Sequence, residues 1–308
     1  MLFRHDTIKC LLDMTMLVTI GIIAWNRYED TLNAVKSAFS QPYRPIEVIL
    51  IDTSANYYIS KALLKEFSDV RVIRVHKNLG CPGGRNIVFA NANGEIVLNI
   101  DDDSTIDLQT VSEVVHIMSA DENIAVVACQ VVNLRDGQQA NLLDENRSVM
   151  DFNGQCAIRT SALDFVGYYP DSFLRQGEET HLALRILDHG FKIVYAPRAV
   201  INHHQSPVSR NNKKFFFYTT RNELQTVLEL APWYLVPVIL PYKILALGWN
   251  ALKNRCIHYM MLGLVAFLYR VPTSLLGRKA TSIRPWWLSA KRRFRRIKVF
   301  GRTVVVKD

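Results

Sequence analysis

Between residues 16 and 101 the chain alternates short apolar, β-branched runs with stretches of helical spacing, and few folds accept that alternation. The runs are Met16 to Ala24 (MLVTIGIIA), Val48 to Ile51 (VILI), Val70 to Val75 (VRVIRV) and Ile96 to Ile100 (IVLNI). Each is too short for a helix and reads as a strand; Met16 to Ala24 and Val48 to Ile51, apolar almost throughout, read as strands buried on both sides. Between the first two runs, Asp30 offers an N-cap, Leu32, Val35 and Phe39 fall near one helical face, and Pro42 and Pro45 close the segment. A second helix is expected from Ile59 to Phe67. A Gly-rich turn, Gly80 to Gly84, then leads into a third helix from Asn86 to Ala92. Strand, helix, strand, helix implies right-handed βαβ units and a mostly parallel, Rossmann-like sheet.

Such a sheet binds ligands beyond the carboxyl ends of its strands. Two strands end there in acids, at Asp52 and at Asp101-Asp102-Asp103. Three adjacent carboxylates repel one another; they suit a solvated capping turn or the neighbourhood of a divalent cation that shares its remaining positions with phosphates. Further on, Ala125 to Val132 reads as a strand. A helix from Glu179 to His189, with Leu182, Ile186 and Leu187 inward, stops at Gly190, and Phe191 to Tyr195 returns as a strand.

Beyond about residue 210 the pattern turns helical and apolar. Trp233 to Trp249 is interrupted by Pro237, Pro241 and Lys243, and Cys256 to Leu268 is followed by Tyr269-Arg270, so neither has the length of a clean membrane-spanning helix. The flanking Trp233, Tyr234, Trp249, Trp286 and Trp287, with basic residues after them, suit an interfacial helix at a membrane surface or an added helical subdomain. The formal net charge of +9 is uneven, much of it in Lys291 to Lys298 (KRRFRRIK). Phe294 is the one aromatic in that run, and aromatics are not interleaved through the tail as a nucleic-acid stacking platform requires, so no nucleic-acid partner is expected. The five cysteines are scattered without a Cys-x-x-Cys pair, which argues against a zinc site and a disulfide framework and for a reducing compartment.

Seven segments occur in an order and spacing that resemble family 2 glycosyltransferases of the GT-A fold, in a rhamnosyltransferase-like form. They are Ile22 to Arg27 (IIAWNR), Leu50 to Asp52 (LID), Asn78 to Asn86 (NLGCPGGRN), Asn99 to Asp103 (NIDDD), Gly177 to Arg185 (GEETHLALR), Pro197 to His203 (PRAVINH) and Tyr218 to Asn222 (YTTRN). The resemblance covers roughly residues 16–225. It implies a nucleotide-diphospho-sugar transferase fold over 16–225, after an N-terminal extension at 1–15 and before an apolar helical and basic region at 226–308.

The resemblance also implies roles. Asp101-x-Asp103 matches the family's DxD motif: Asp103, with Asp101 and with His203 as a third ligand, would hold Mn2+ or Mg2+ against the donor diphosphate. Ala24, Asn26, Arg27, Asp52, Gly84, Arg85, Asp101, Asp102 and Arg221 would form the donor side. Glu179, with Glu178 as the fallback, would be the general base for the acceptor hydroxyl, a role worth a factor of about 10²–10⁴. Gly154 and Gln155 would line the acceptor side. The expected partners are a UDP-, dTDP- or GDP-sugar, a saccharide or lipid-linked acceptor and a membrane surface. The expected activity is inverting, hexosyltransferase-like transfer in cell-surface polysaccharide or glycolipid synthesis, at the cytoplasmic face of the inner membrane. Two other classes compete with it. A nucleotidyltransferase wants glycines directly after the first strand, where Ala24-Trp25-Asn26-Arg27 stands. A non-catalytic membrane-surface binder would use only the basic, apolar C-terminal region.

Overall fold

The computed structural model describes residues 15–54, 58–134, 139–140, 152–204, 212–290, 295–299 and 302–307. The expected N-terminal extension up to position 14 and Lys291 to Phe294 of the basic tail lie outside these residues.

The four apolar runs form β1 (Val18–Ala24), β2 (Ile46–Asp52), β3 (Val70–Arg74) and β4 (Ile96–Asp101), mutually parallel in the order β3-β2-β1-β4. Side-chain alternation sends Val18, Ile20 and Ile22 to one face, where they meet Ala34, Val35 and Ala38 of α1 (Tyr28–Phe39) and Val114 and Ile117 of α4 (Thr110–Ser119). Ile49, Ile51 and Val97 point to the other face, onto Val88 and Phe89 of α3 (Gly80–Asn91) and Leu182 and Ile186 of α6 (Glu178–Asp188). Both faces of β1, β2 and β4 are covered, which is why these strands carry no polar stripe; β3, at the sheet edge, keeps Arg71 exposed. The helix α2 (Tyr58–Glu66) links β2 to β3.

Two local expectations are corrected. Asp30 is not the N-cap of α1: Arg27 is, and Asp30 sits inside the first turn, where an acid still favours the helix dipole. The Gly-rich segment is not a turn before α3 but its first turns, with Pro82 early enough to sacrifice no helical hydrogen bond. Its glycines serve packing. A Cβ on Gly84 would stand 2.9 Å from Ile23 Cγ2, so only glycine lets α3 lie this close to β1.

Beyond β4 the parallel character ends and the sheet is mixed. β8 (Cys156–Arg159), which leads into α5 (Thr160–Val166), is antiparallel to both β4 and β6 (Ile124–Asn133), and β6 is parallel to β9 (Lys192–His203). The predicted strand at Phe191 to Tyr195 is only the first part of β9. Its register against β6 jumps from Cys129↔Ala196 to Gln130↔Val200, so Pro197-Arg198-Ala199 form a bulge, with Pro197 and Arg198 exposed and Ala199 turned into the core, where proline has no N–H to donate. Past the bulge, β9 pairs with the short β5 (Ser104–Ile106), which places His203 opposite Ser104. The two-residue β7 (Gln139–Ala140) pairs with β6.

The C-terminal part comprises α7 (Asn212–Leu230), α8 (Val236–Lys253), α9 (Ile257–Leu276) and α10 (Ile283–Ala290). A separate apolar cluster, including Phe216, Leu224, Leu247, Met260 and Phe267, joins α7, α8 and α9. The sequence pattern ends the second apolar run at Leu268. The helix instead continues through Arg270 and Pro272 to Leu276, so α9, at 20 residues and mean hydropathy 1.4, has the length and composition of a membrane span. The basic tail carries no strand signal, yet β10 (Arg295–Val299) and β11 (Arg302–Lys307) make a hairpin, and β11 adds antiparallel to β9.

Candidate active site

At the carboxyl ends of β1 and β4 lies a cleft of about 420 Å³, within the range of small-molecule sites. Its floor is acidic. Asp101 closes β4, and Asp102 and Asp103 follow in the turn to β5. Asp102 is drawn back into the protein: its Oδ2 accepts the Trp25 N–H at 2.9 Å, and Arg27 Nη1 lies 2.8 Å from its Oδ1. Burial pushes the Asp102 carboxyl up to about 7, against the pull of Arg27 and the Trp25 amide. Arg27 also stands 3.0 Å from Asp103 Oδ2 and so spans the two adjacent acids.

The β5–β9 pairing brings His203 to the same place. His203 Nε2 lies 3.3 Å from Asp103 Oδ1, and the backbone N–H of His204 donates to Asp103 O at 2.9 Å. Asn133 Oδ1 is 3.2 Å from His203 Nδ1; an Nδ1–H donated there would leave Nε2 as the ligating nitrogen when a cation lies between it and Asp103. One ligand atom each from Asp101, Asp103 and His203 all fall within 4.8 Å of one another. Two carboxylate oxygens and one imidazole nitrogen, with the remaining positions facing a cleft, suit a hard-to-borderline divalent cation. Strand register brings His203, and not the adjacent His204, to this cluster: the His204 ring turns to Thr105 Oγ1 instead.

Across the cleft, α6 begins at Glu178 behind Gln176 and Gly177, both at positive φ (68° and 85°). Glu178 is buried, while Glu179 keeps 15% of its side chain exposed, and both line the cleft. Burial raises the Glu178 carboxyl above its ordinary value, against the pull of Arg85. Its Oε2 has no hydrogen-bond partner among the described residues.

Arg85 joins the two walls. Its Nη2 is 3.0 Å from Asp101 Oδ1, and its Nη1 is 3.8 Å from both Glu178 Oε1 and Glu179 Oε1. The guanidinium is 3% exposed and lies directly under Gly154, where a Cβ would come within 2.1 Å of Nη1. Gly154, at φ +67°, packs directly over Arg85 and does not line the cleft. Gln155 is buried with Oε1 unpartnered among the described residues, and Asn153 is the neighbour that reaches the cleft.

Several expected donor residues do not line the cleft. The carbonyl of Ala24 is taken by the N–H and hydroxyl of Thr53, and Asn26, at φ 58°, turns the chain so that Trp25 and Arg27 face inward. Asp52 is fully buried, with Arg74 Nη1 at 3.0 Å and the Ser54 N–H capped by its Oδ1; Thr53 lines the cleft instead. Gly84 faces Ile23. Arg221 sits on α7, with Nη2 donating to Ser172 O and Nε to Asn222 Oδ1. Its neighbour Asn222 donates from Nδ2 to the carbonyls of Arg175 (2.8 Å) and Gln176 (2.6 Å), so the YTTRN segment holds the loop that precedes the two glutamates. Sequence reasoning missed Trp25, Thr53, Asn78, Arg175, Lys214 and Tyr218 as lining residues. The only signals were their places inside or beside matching segments.

Residues 19–169 match the family model described as Glycosyl transferase family 2. The chain is 30% identical to an N-acetylglucosaminyltransferase of Azorhizobium caulinodans over 61% of its own length and 55% of that protein. It is also 30% identical to the Escherichia coli UDP-Glc:alpha-D-GlcNAc-diphosphoundecaprenol beta-1,3-glucosyltransferase WfaP over 34% of this chain and 43% of that one. The chain spans about half the length of these curated relatives. Among solved structures, the mannosyltransferase PcManGT from Pyrobaculum calidifontis, in complex with GDP-Man and Mn2+, superposes with a TM-score of 0.58 at 18% identity, over 87% of this chain and 81% of that one. That likeness is one of fold, and the fold is the GT-A fold with a helical C-terminal part.

Proposed function

We propose that this chain, whose residues 19–169 match the model of glycosyl transferase family 2, moves a sugar with inversion from a nucleotide-diphosphate sugar to an acceptor hydroxyl, with a divalent metal. One observation carries the reading: a single cleft has Asp101, Asp103 and His203 on one wall and Glu178-Glu179 on the other, joined by the buried Arg85. An inverting displacement needs a place for charge to collect on the leaving diphosphate and a base opposite it, and the two walls supply these separately.

In this mechanism Asp101, Asp103 and His203 would hold Mn2+ or Mg2+. When bound, the metal neutralises charge on the departing nucleoside diphosphate. The chain's own residues do the rest. Arg27 fixes Asp102 and Asp103 by facing both, and Trp25 and Thr53 border the space for the nucleotide. Glu179, the more exposed acid, takes the acceptor's proton as its oxygen attacks the anomeric carbon and the bond to the diphosphate oxygen breaks. Glu178, buried and raised, keeps Arg85 oriented between Asp101 and the base. WfaP is named for a sugar acceptor carried on a lipid diphosphate. A saccharide acceptor of that class, in cell-surface polysaccharide assembly, is the corresponding reading here.

The test is release of free nucleoside diphosphate from UDP-, dTDP- and GDP-sugars with Mn2+ present. One nucleotide class is expected to turn over, and Glu179→Gln to slow it by roughly 10²–10⁴-fold while nucleotide affinity holds. Turnover unchanged in Glu179→Gln removes the assigned base.

A further inference from the structure

The C-terminal helices carry a surface that glycosyl transfer does not use. On α8 the exposed residues Val238, Tyr242, Leu245, Trp249 and Leu252 recur at intervals of four and three, which is one helical stripe. Its buried counterpart, Leu247 and Ala251, packs inward. On α9, Ile257, Met261, Val265 and Leu268 form a second exposed stripe, opposite Met260, Gly263 and Phe267. Leu245 is 74% and Trp249 64% exposed, and contiguous apolar surface of this extent on a folded protein marks an interaction site.

Charge identifies the occupant. Residues 231–308 hold fifteen Lys or Arg and one acid, Asp308, a net of +14; residues 1–230 hold 22 Lys or Arg and 27 acids, a net of −5. Cations also stand at the aromatic rims of the surface: Lys253 Nζ is 5.2 Å from the Trp249 ring centroid, and the Arg278 guanidinium is 3.9 Å from that of Trp233. Apolar stripes edged by Trp with Lys and Arg beside them match a bilayer interface, where rings sit at headgroup level and cations meet anionic lipid. A second copy would bring +14 against +14.

We infer that α8 and α9 dock the protein on an anionic lipid surface, lying in the interface rather than crossing the bilayer. α9 has the length to span, but one of its faces is taken. A Cβ on Gly263 would stand 2.5 Å from Phe217 O of α7, and α7 is bonded through Arg221 and Asn222 to the loop before Glu178. Lys243 on α8 pairs with Glu223 of α7 at 2.6 Å, which keeps that side polar. α7 also brings Lys214 and Tyr218 to the cleft, so the docked surface and the proposed transfer site share one helix.

The test is flotation of the full chain with vesicles of phosphatidylcholine alone or with about one third phosphatidylglycerol, at low and high salt. Binding to the anionic vesicles that falls with salt is expected. Leu245→Glu with Trp249→Glu should weaken it at least about tenfold without changing the circular dichroism spectrum or nucleotide binding. Failure to float with anionic vesicles overturns the inference, as does a double variant that floats like the wild type. Equal binding to neutral vesicles that survives an alkaline carbonate wash replaces it with a spanning helix. A lipid-free dimer that the double variant dissociates replaces it with a second copy.

Discussion

Replacing Asn222 with alanine is expected to disturb the proposed base while leaving the proposed metal site in place. Asn222 is fully buried and makes three side-chain hydrogen bonds: two donated to the Arg175 and Gln176 carbonyls and one accepted from Arg221. Those carbonyls belong to half-buried residues, so each lost bond costs roughly 0.5–1.5 kcal/mol rather than the full burial penalty. Gln176 is held at φ 68°, a conformation that costs a non-glycine residue about 1–3 kcal/mol and persists only while its surroundings impose it. Released, the loop relaxes and Glu178 and Glu179 move with it. The expected stability loss is about 2–4 kcal/mol, read by urea denaturation. Because Asn222 touches none of Asp101, Asp103 or His203, nucleotide affinity in Mn2+ should stay within about threefold, while kcat falls about 10²-fold from misplacement of the base. A variant that loses nucleotide affinity in step with kcat, or keeps full kcat, refutes the claim that α7 positions the base through this loop.

Three further outcomes are expected. Arg85→Met removes the cation between Asp101 and the two glutamates; the cost should be about 3 kcal/mol by denaturant titration, the lower end for a buried pair because the Asp101 side chain is 28% exposed. Gly154→Ala, with its Cβ driven into Arg85 and its φ at +67°, should lose roughly 1–3 kcal/mol in the same assay, whereas alanine at the exposed Ser112 should change nothing measurable. His181 is buried against Phe173 and lies 3.2 Å from Glu229, and burial holds its imidazole below the ordinary value of 6.5 despite that carboxylate. The unfolded chain therefore binds the proton more readily, so the stability this neutral ring contributes is present above pH 6.5 and lost as pH falls below it. The buried Asp102 and Glu178 carboxyls, both raised, work in the opposite direction over the same range, so the His181 contribution is read as a difference: the unfolding free energy of the wild type relative to His181→Gln should shrink as pH is lowered from about 7 to 5, and a difference that stays constant would refute the assignment.

The parallel half of the fold was legible because β1, β2 and β4 are buried along most of their length, and a short, continuous apolar run fits little besides a strand covered on both sides; the edge strand β3 is only partly buried. The segment Gly80 to Gly84 misled because glycine and proline usually punctuate; here Pro82 is tolerated in a first helical turn, and Gly84 is demanded by contact with Ile23. The aspartates could be picked out of the sequence, but their division of labour could not. Asp102 turning inward to Trp25 and Arg27, while Asp101 and Asp103 face His203, depends on how β5 pairs with β9 about a hundred residues later. Asp52 and Arg221 had the right chemistry in the right segments, but each is taken by a partner, Arg74 and Ser172, that local pattern does not reveal. The C-terminal hairpin was unreadable for a simpler reason: its basic residues read as a solvated tail, and strand pairing with β9 leaves no local signature in them.

The central claim is that Asp101, Asp103 and His203 bind a divalent metal together with a nucleoside diphosphate. Electron paramagnetic resonance of Mn2+, titrated with protein in the presence and absence of UDP, dTDP and GDP, tests it most directly. The account predicts one bound Mn2+ whose affinity rises at least about tenfold with one of the three nucleotides, and loss of that binding in Asp103→Ala. Folded protein that binds no Mn2+ with any of them, or an Asp103→Ala variant that binds as the wild type does, would contradict it.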